Sequence, residues 1–152
     1  MNQNNQTEIL LVEDNPDDLD MTLYVLGKTM GAKHVHIARD GQEALDFLFR
    51  RGSYATRTAE TDPKVIFLDL KLPKVDGLDV LKAIRADDRT ATIPIVILTS
   101  SKEQRDLLRS YQSGANAFIQ KPVDFAQFQL AIKEIGLFWL VVNEPPPNSA
   151  ML

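Results

Sequence analysis

The chain contains no cysteine. That excludes disulfides, thiolate metal sites, cysteine nucleophiles and any thioether-linked cofactor, and it fits a reducing compartment. Runs of basic residues are missing as well. Arg50-Arg51 is an isolated pair and the net charge is −4, which argues against a nucleic-acid surface. No apolar stretch approaches the roughly 20 residues needed to span a bilayer, so no membrane association is expected. The opening MNQNNQTE has no basic region followed by an apolar core, so it does not read as a secretory signal, and the expected location is cytoplasmic. Histidine is scarce. His34 and His36 alternate along one apolar segment with no third ligand at useful spacing, which disfavours an imidazole-based metal site.

What is present is an ordinary globular composition: 152 residues, 44% apolar and 25% charged, enough for one domain with a real core. Short apolar runs at Ile9–Val12, His34–Ala38, Val65–Leu68, Ile93–Leu98 and Ala117–Ile119 have the length and bounds of buried strands. Between them lie helical patterns. The first opens at Asn15-Pro16-Asp17-Asp18, carries Leu19, Leu23, Leu26 and Met30 on one stripe, and stops near Gly31. The second begins with the capping-box pair Asp40 and Glu43. The third follows Asp76-Gly77, the fourth covers 102–113, and the last runs from about Asp124 to about Leu140. Gly52 to Pro63 reads as a polar loop, with Tyr54 a packing or loop residue. Five βα units imply a doubly wound α/β fold with a parallel sheet and helices on both faces. The expected organisation is a disordered 1–7, a domain over 8–140 and a tail over 141–152.

Four of these apolar runs end in chemistry. Glu13-Asp14 follows ILLV, Asp69 follows VIFL, Thr99 follows VIL, and Lys121 follows AFIQ. In a parallel α/β sheet the C-terminal strand ends share one rim, where ligands bind. Glu13, Asp14 and Asp69 offer the hard oxygen ligands that Mg²⁺ prefers, and a backbone carbonyl near Lys71 adds another. Lys121 would hold an anionic phosphoryl oxygen as a point charge, and Thr99 offers a hydroxyl. Asp69 stands alone directly after the third strand, which makes it the candidate nucleophile for an aspartyl phosphate. Each residue also has a plainer reading: Glu13 and Asp14 as helix caps, Asp69 as a turn acid, Thr99 as an N-cap, and Lys121 as a solvated lysine. Taken together, those readings require separate coincidences at successive strand ends.

The segments VEDNPDD, VIFLDLKLPKVDGLDVL, IPIVILTSS and GANAFIQKPVD together resemble the receiver domain of two-component response regulators, over about residues 8–140. The resemblance implies a flavodoxin-like sheet in order 2-1-3-4-5. It implies that Asp69 accepts a phosphoryl group from a phosphohistidine of a partner histidine kinase. Mg²⁺ would be held by Glu13, Asp14, Asp69 and the Lys71 carbonyl. Thr99 and Lys121 match the phosphate-sensing hydroxyl and lysine, Lys121–Pro122 matches a cis peptide bond, and Phe118 matches an aromatic switch residue. The 52–63 loop, YQSGANAFIQKPVDF and FWLVVNEPPP are similar to the small single-domain regulators that pair with phytochrome-type kinases. Lys71 and Ser101 occupy the two positions that tune dephosphorylation in that family. Neither readily orients a water, so a long-lived phosphoryl state is expected. The resemblance implies a signalling protein rather than an enzyme. A phosphatase using an aspartyl phosphate would carry an acid where Lys71 stands, and a phosphorylation-independent adaptor would not need the complete site.

The last helix has more apolar surface than one buried face requires. Phe128, Ile132, Ile135 and Trp139 make one stripe, Leu130, Leu137 and Val141 another, and Phe138 and Val142 widen it. Homodimerisation through Phe138, Trp139, Val141 and Val142 is the expectation, with output through an unknown downstream protein.

Overall fold

A computed structural model describes residues 7–30, 34–121 and 124–147. Five parallel strands, β1 (Ile9–Val12), β2 (Val35–Ala38), β3 (Val65–Leu68), β4 (Ile95–Thr99) and β5 (Ala117–Gln120), form one sheet in the order β2-β1-β3-β4-β5. The helices are α1 (Pro16–Met30), α2 (Gly41–Leu48), α3 (Gly77–Ala86), α4 (Gln104–Gln112) and α5 (Phe125–Leu137), the last continuing as a π-helical turn over Phe138–Val142. The alternating pattern and the strand order are those expected of the doubly wound receiver fold.

The central strands are buried on both faces, which is why they read as unbroken apolar runs rather than alternating ones. Successive side chains still part to opposite sides. Leu10, Val12, Ile66, Leu68, Ile95 and Ile97 face α2 and α3, where Ala44, Leu45, Leu48, Val80, Leu81 and Ile84 cover them. Ile9, Leu11, Val65, Phe67, Val96 and Leu98 face α1 and α5, against Leu19, Val25, Leu26, Phe128 and Ile132. Each fully buried aliphatic or aromatic side chain contributes about 1.5–3 kcal/mol over an exposed one.

Several boundaries differ from the sequence reading for local reasons. In α1 the buried set is Leu19, Thr22, Val25 and Leu26, while Leu23 is only half-buried, so the inward face is rotated from the expected stripe. β4 starts at Ile95 because Pro94 has no N–H for a ladder and only its carbonyl is used, by Ile66. α4 starts two residues late, and Ser101 Oγ in the loop before it donates to Asp106 Oδ2 in its first turn at 2.5 Å. The last helix runs past Leu140 to Val142, and Asn143 N donates to Phe138 O at 2.6 Å, the i→i+5 bond of a π turn. The 52–63 loop is not featureless: it holds two 3₁₀ turns, Gly52–Tyr54 and Ala59–Thr61. Gly31, Pro122 and residues 1–6 lie outside the described residues, as do the side chains of Met30, Leu137 and Val141.

Candidate functional site

The sheet register brings the chemistry to one rim. Val12 pairs with Leu68, which sets Glu13 level with Asp69 on the adjacent strand. The ladder runs one bond further on each side: Glu13 N donates to Ala38 O at 3.0 Å and Asp69 N to Val12 O at 3.1 Å. Leu68 pairs with Ile97 and Thr99 with Gln120, so Thr99 and Lys121 lie slightly beyond Asp69 along the same edge. Lys121 N donates to Thr99 O at 2.6 Å and ties these two together.

Neither Glu13 nor Asp14 caps α1. Asn15 does so, its Oδ1 accepting from Asp18 N at 3.0 Å. Glu13 Oε2 accepts instead from Asn15 N at 3.2 Å, and one oxygen from each of Glu13, Asp14 and Asp69 lies within 4.8 Å of the others. Among the described residues this is the one group with the spacing of a metal site. Its donor set is all carboxylate, hard, and partly open to solvent through exposed Asp14, which fits Mg²⁺ or a similar oxygen-seeking cation. Lys71 N donates to Asp69 Oδ1 at 3.3 Å, placing Lys71 beside that carboxylate. Its own side chain is exposed.

The cationic arm is almost completely buried. Lys121 is 3% exposed, and its Nζ donates to Glu13 Oε1 at 2.6 Å and to Asp18 Oδ2 at 2.9 Å, with Asp69 Oδ2 at 4.0 Å. Burial alone would lower the affinity of this ammonium for its proton, but the hydrogen bonds to Glu13 and Asp18 outweigh it and hold the pKa above the ordinary lysine value. Glu13 is pushed up to about 7, chiefly by burial and further by the Asp69 charge, against the pull of Lys121. A cation at the carboxylates would offset both the burial, which is the main cause, and the Asp69 charge that adds to it.

Thr99 is fully buried at the end of β4, and its Oγ1 accepts from Ser101 N at 3.3 Å. It does not cap α4, which begins beyond Glu103. Phe118 lies in β5 opposite Ile97, half-buried against the α2/α3 side of the core. Pro122, and with it the expected cis bond, lies outside the described residues. Of the residues expected at a dimer contact, Phe138 and Val142 are 46% and 64% exposed. Trp139 instead leans back onto the α1/α5 core with Ile135, its ring 4.9 Å from that of Phe138.

Asp18 is the site residue the sequence did not reveal. An acid in the first turn of a helix is accounted for by the helix dipole, and its partner lies 103 residues away. The Ser101–Asp106 hydrogen bond was equally invisible, because it depends on where α4 begins.

The family model described as the response regulator receiver domain matches residues 9–133. The response regulator Rcp1 of Synechocystis sp. strain PCC 6803 is 35% identical over 132 residues, 87% of this chain and 88% of Rcp1. The Mn²⁺-bound form of Rcp1 superposes with a TM-score of 0.81 at 33% identity, covering 93% of this chain and 99% of that one. The phosphorylated cyanobacterial phytochrome response regulator RcpA gives a TM-score of 0.83 at 35% identity, over 93% and 99% of the two chains. The bacteriophytochrome response regulator AtBRR is 55% identical, with a TM-score of 0.73 over 91% of this chain and 99% of its own. A rim of carboxylates, hydroxyl and lysine on a sheet of order β2-β1-β3-β4-β5, matched along most of its length by such proteins, makes this chain a member of the response regulator receiver domain family.

Proposed function

We propose that the protein is a phosphoacceptor whose Asp69 takes a phosphoryl group from a phosphohistidine on a sensor histidine kinase of the phytochrome type. The observation that carries this reading is the buried Lys121 ammonium set 4.0 Å from Asp69 Oδ2 within a cluster of acids. In the transfer, an Asp69 carboxylate oxygen forms a bond to phosphorus as the P–N bond of the phosphohistidine breaks, and that electron pair returns to the imidazole nitrogen. Lys121 holds a phosphoryl oxygen by charge, and Thr99 donates its hydroxyl to another. Glu13, Asp14 and Asp69, with the Lys71 carbonyl, would hold Mg²⁺, which when bound neutralises charge on the acceptor and the phosphoryl oxygens. The Mn²⁺-bound form of Rcp1 supports a divalent ion, and the phytochrome regulators RcpA and AtBRR support the kinase class.

The output in this reading is protein–protein contact. Phosphoryl-dependent shifts of Thr99 and Phe118 alter the β4–β5 surface for a downstream protein, and exposed Phe138 and Val142 contribute to a homodimer. Hydrolysis is slow, because Lys71 is exposed and the Ser101 hydroxyl is engaged by Asp106, so neither aims a water at the phosphoryl group.

The test is to give the full chain an acyl phosphate with Mg²⁺ and to follow its mass and the release of inorganic phosphate. One stable adduct per chain, absent in Asp69→Asn, is the expected result. Many turnovers of phosphate release would replace the receiver with a phosphatase, and no adduct at all would leave an adaptor.

A further inference from the structure

Lys121 has three N–H donors, and two are spent on carboxylates from different places: Glu13 at the end of β1 and Asp18 in the first turn of α1. These two acids are not equivalent. Glu13 belongs to the carboxylate group with cation spacing, whereas Asp18 does not. A cation drawing on Glu13 competes with Lys121 for that carboxylate, and Asp18 then remains as the anchor of the ammonium. Asp18 is itself well fixed, since its backbone N–H is bound by Asn15 Oδ1 at 3.0 Å. The third N–H of Lys121 is left with Asp69 Oδ2 at 4.0 Å, too long for a hydrogen bond to the bare carboxylate. A phosphoryl group on Asp69 would add oxygens that extend beyond the carboxylate and narrow that gap.

We infer that Asp18 is a positioning residue: it fixes the Lys121 ammonium so that its free N–H meets an oxygen of a phosphoryl group carried by Asp69, and so sets how firmly the loaded state is held. The inference rests on Asp69 being the acceptor. A general contribution of acidic charge to the start of α1 does not replace it, because Asp17 offers the same charge at the same turn and makes no ion pair with Lys121.

The experiment uses the full chain and beryllium fluoride with Mg²⁺ as a non-covalent phosphoryl mimic, titrated by calorimetry, in the natural chain and in Asp18→Ala, Asp18→Asn and Asp17→Ala. Loss of one charge-assisted contact predicts that Asp18→Ala binds the mimic about tenfold more weakly. Its affinity for Mg²⁺ alone should change much less. Asp18→Asn keeps an acceptor oxygen and recovers a large part of the loss, while Asp17→Ala binds as the natural chain does. With neither Mg²⁺ nor mimic present, the Lys121 ammonium hydrogens, followed by nitrogen-15 NMR, exchange with water faster in Asp18→Ala. Equal binding of the mimic by Asp18→Ala and the natural chain overturns the inference, as does an equal loss in Asp17→Ala. A natural chain that binds no mimic overturns the acceptor role of Asp69 itself, and the variants are then not needed to decide.

Discussion

His36 stacks on Phe47 with ring centroids 4.1 Å apart, and its Nε2 lies 3.1 Å from Tyr54 Oη. Tyr54 donates its one hydroxyl hydrogen to Glu43 Oε2 at 2.9 Å, so the imidazole is the donor in the first contact. Burial lowers the His36 pKa, the Arg57 charge adds to this, and Glu43 opposes it. The unfolded chain therefore binds this proton at a higher pH than the folded one, and the His36 contribution to stability is lost as pH falls below about 6.5. Denaturant midpoints should fall on acidification through that window, and His36→Phe, which keeps the stack, should show a shallower slope than the natural chain. Glu13 has the opposite sign. Its folded pKa of about 7 lies above the usual 4.5, so in metal-free protein its contribution is complete below 4.5 and declines as pH rises through 7. Stabilisation by added Mg²⁺ should consequently be larger at pH 8 than at pH 6, and Glu13→Gln should flatten that difference in the same denaturation assay. The acids and the lysine that follow strands were readable because strand ends in a parallel sheet share an edge whatever the details of packing. Asp18 and the His36–Tyr54–Glu43 chain were not, since each depends on side chains meeting across elements that no local spacing records.

Arg57 shows how the 52–63 segment, a plain polar loop in sequence, becomes structure. Its guanidinium donates to Phe47 O at 2.9 Å and to Thr61 Oγ1, pairs with Asp62 at 3.0 Å, and lies 4.0 Å from the centroid of the Phe47 ring. One side chain thus links the segment to the end of α2 and closes it on itself. Arg57→Ala should lower stability by about 1–3 kcal/mol through the carbonyl and carboxylate left without their donor. It should also make the segment the first site of limited proteolysis, while Arg51→Ala, on an exposed 3.5 Å pair, should do neither. Strands were legible as short unbroken apolar runs, and the helices over them from periodicity. Helix ends were less so, as α4 and the π turn after α5 show, because they are marked by single hydrogen bonds, Ser101 Oγ to Asp106 in the first case and Asn143 N to Phe138 O in the second, that no spacing pattern records.

The molecule divides into a sheet sealed on one side by α2 and α3 and on the other by α1 and α5, with a short extension beyond. The extension is only partly self-satisfied: Trp139 and Leu140 return to the core, whereas Phe138 and Val142 do not. If these two residues mediate self-association, Phe138→Asp with Val142→Asp should sediment as monomer at loadings where the natural chain dimerises, with little change in thermal midpoint. A natural chain that is monomeric at all loadings would remove the dimer. α4 is attached differently from its neighbours. Ser110 is its single fully buried residue, Leu108 and Tyr111 are 58% and 49% exposed, and its leading end is tied through Ser101 to the strand that bears Thr99. Amide protection should therefore be lowest here among the five helices, so that this is where a small local perturbation costs least to amplify. With Asp69 as the acceptor proposed above, a molecule built this way would keep its rigid parts around the reacting atoms and leave one panel of its outer wall slack, free to advertise what has happened inside.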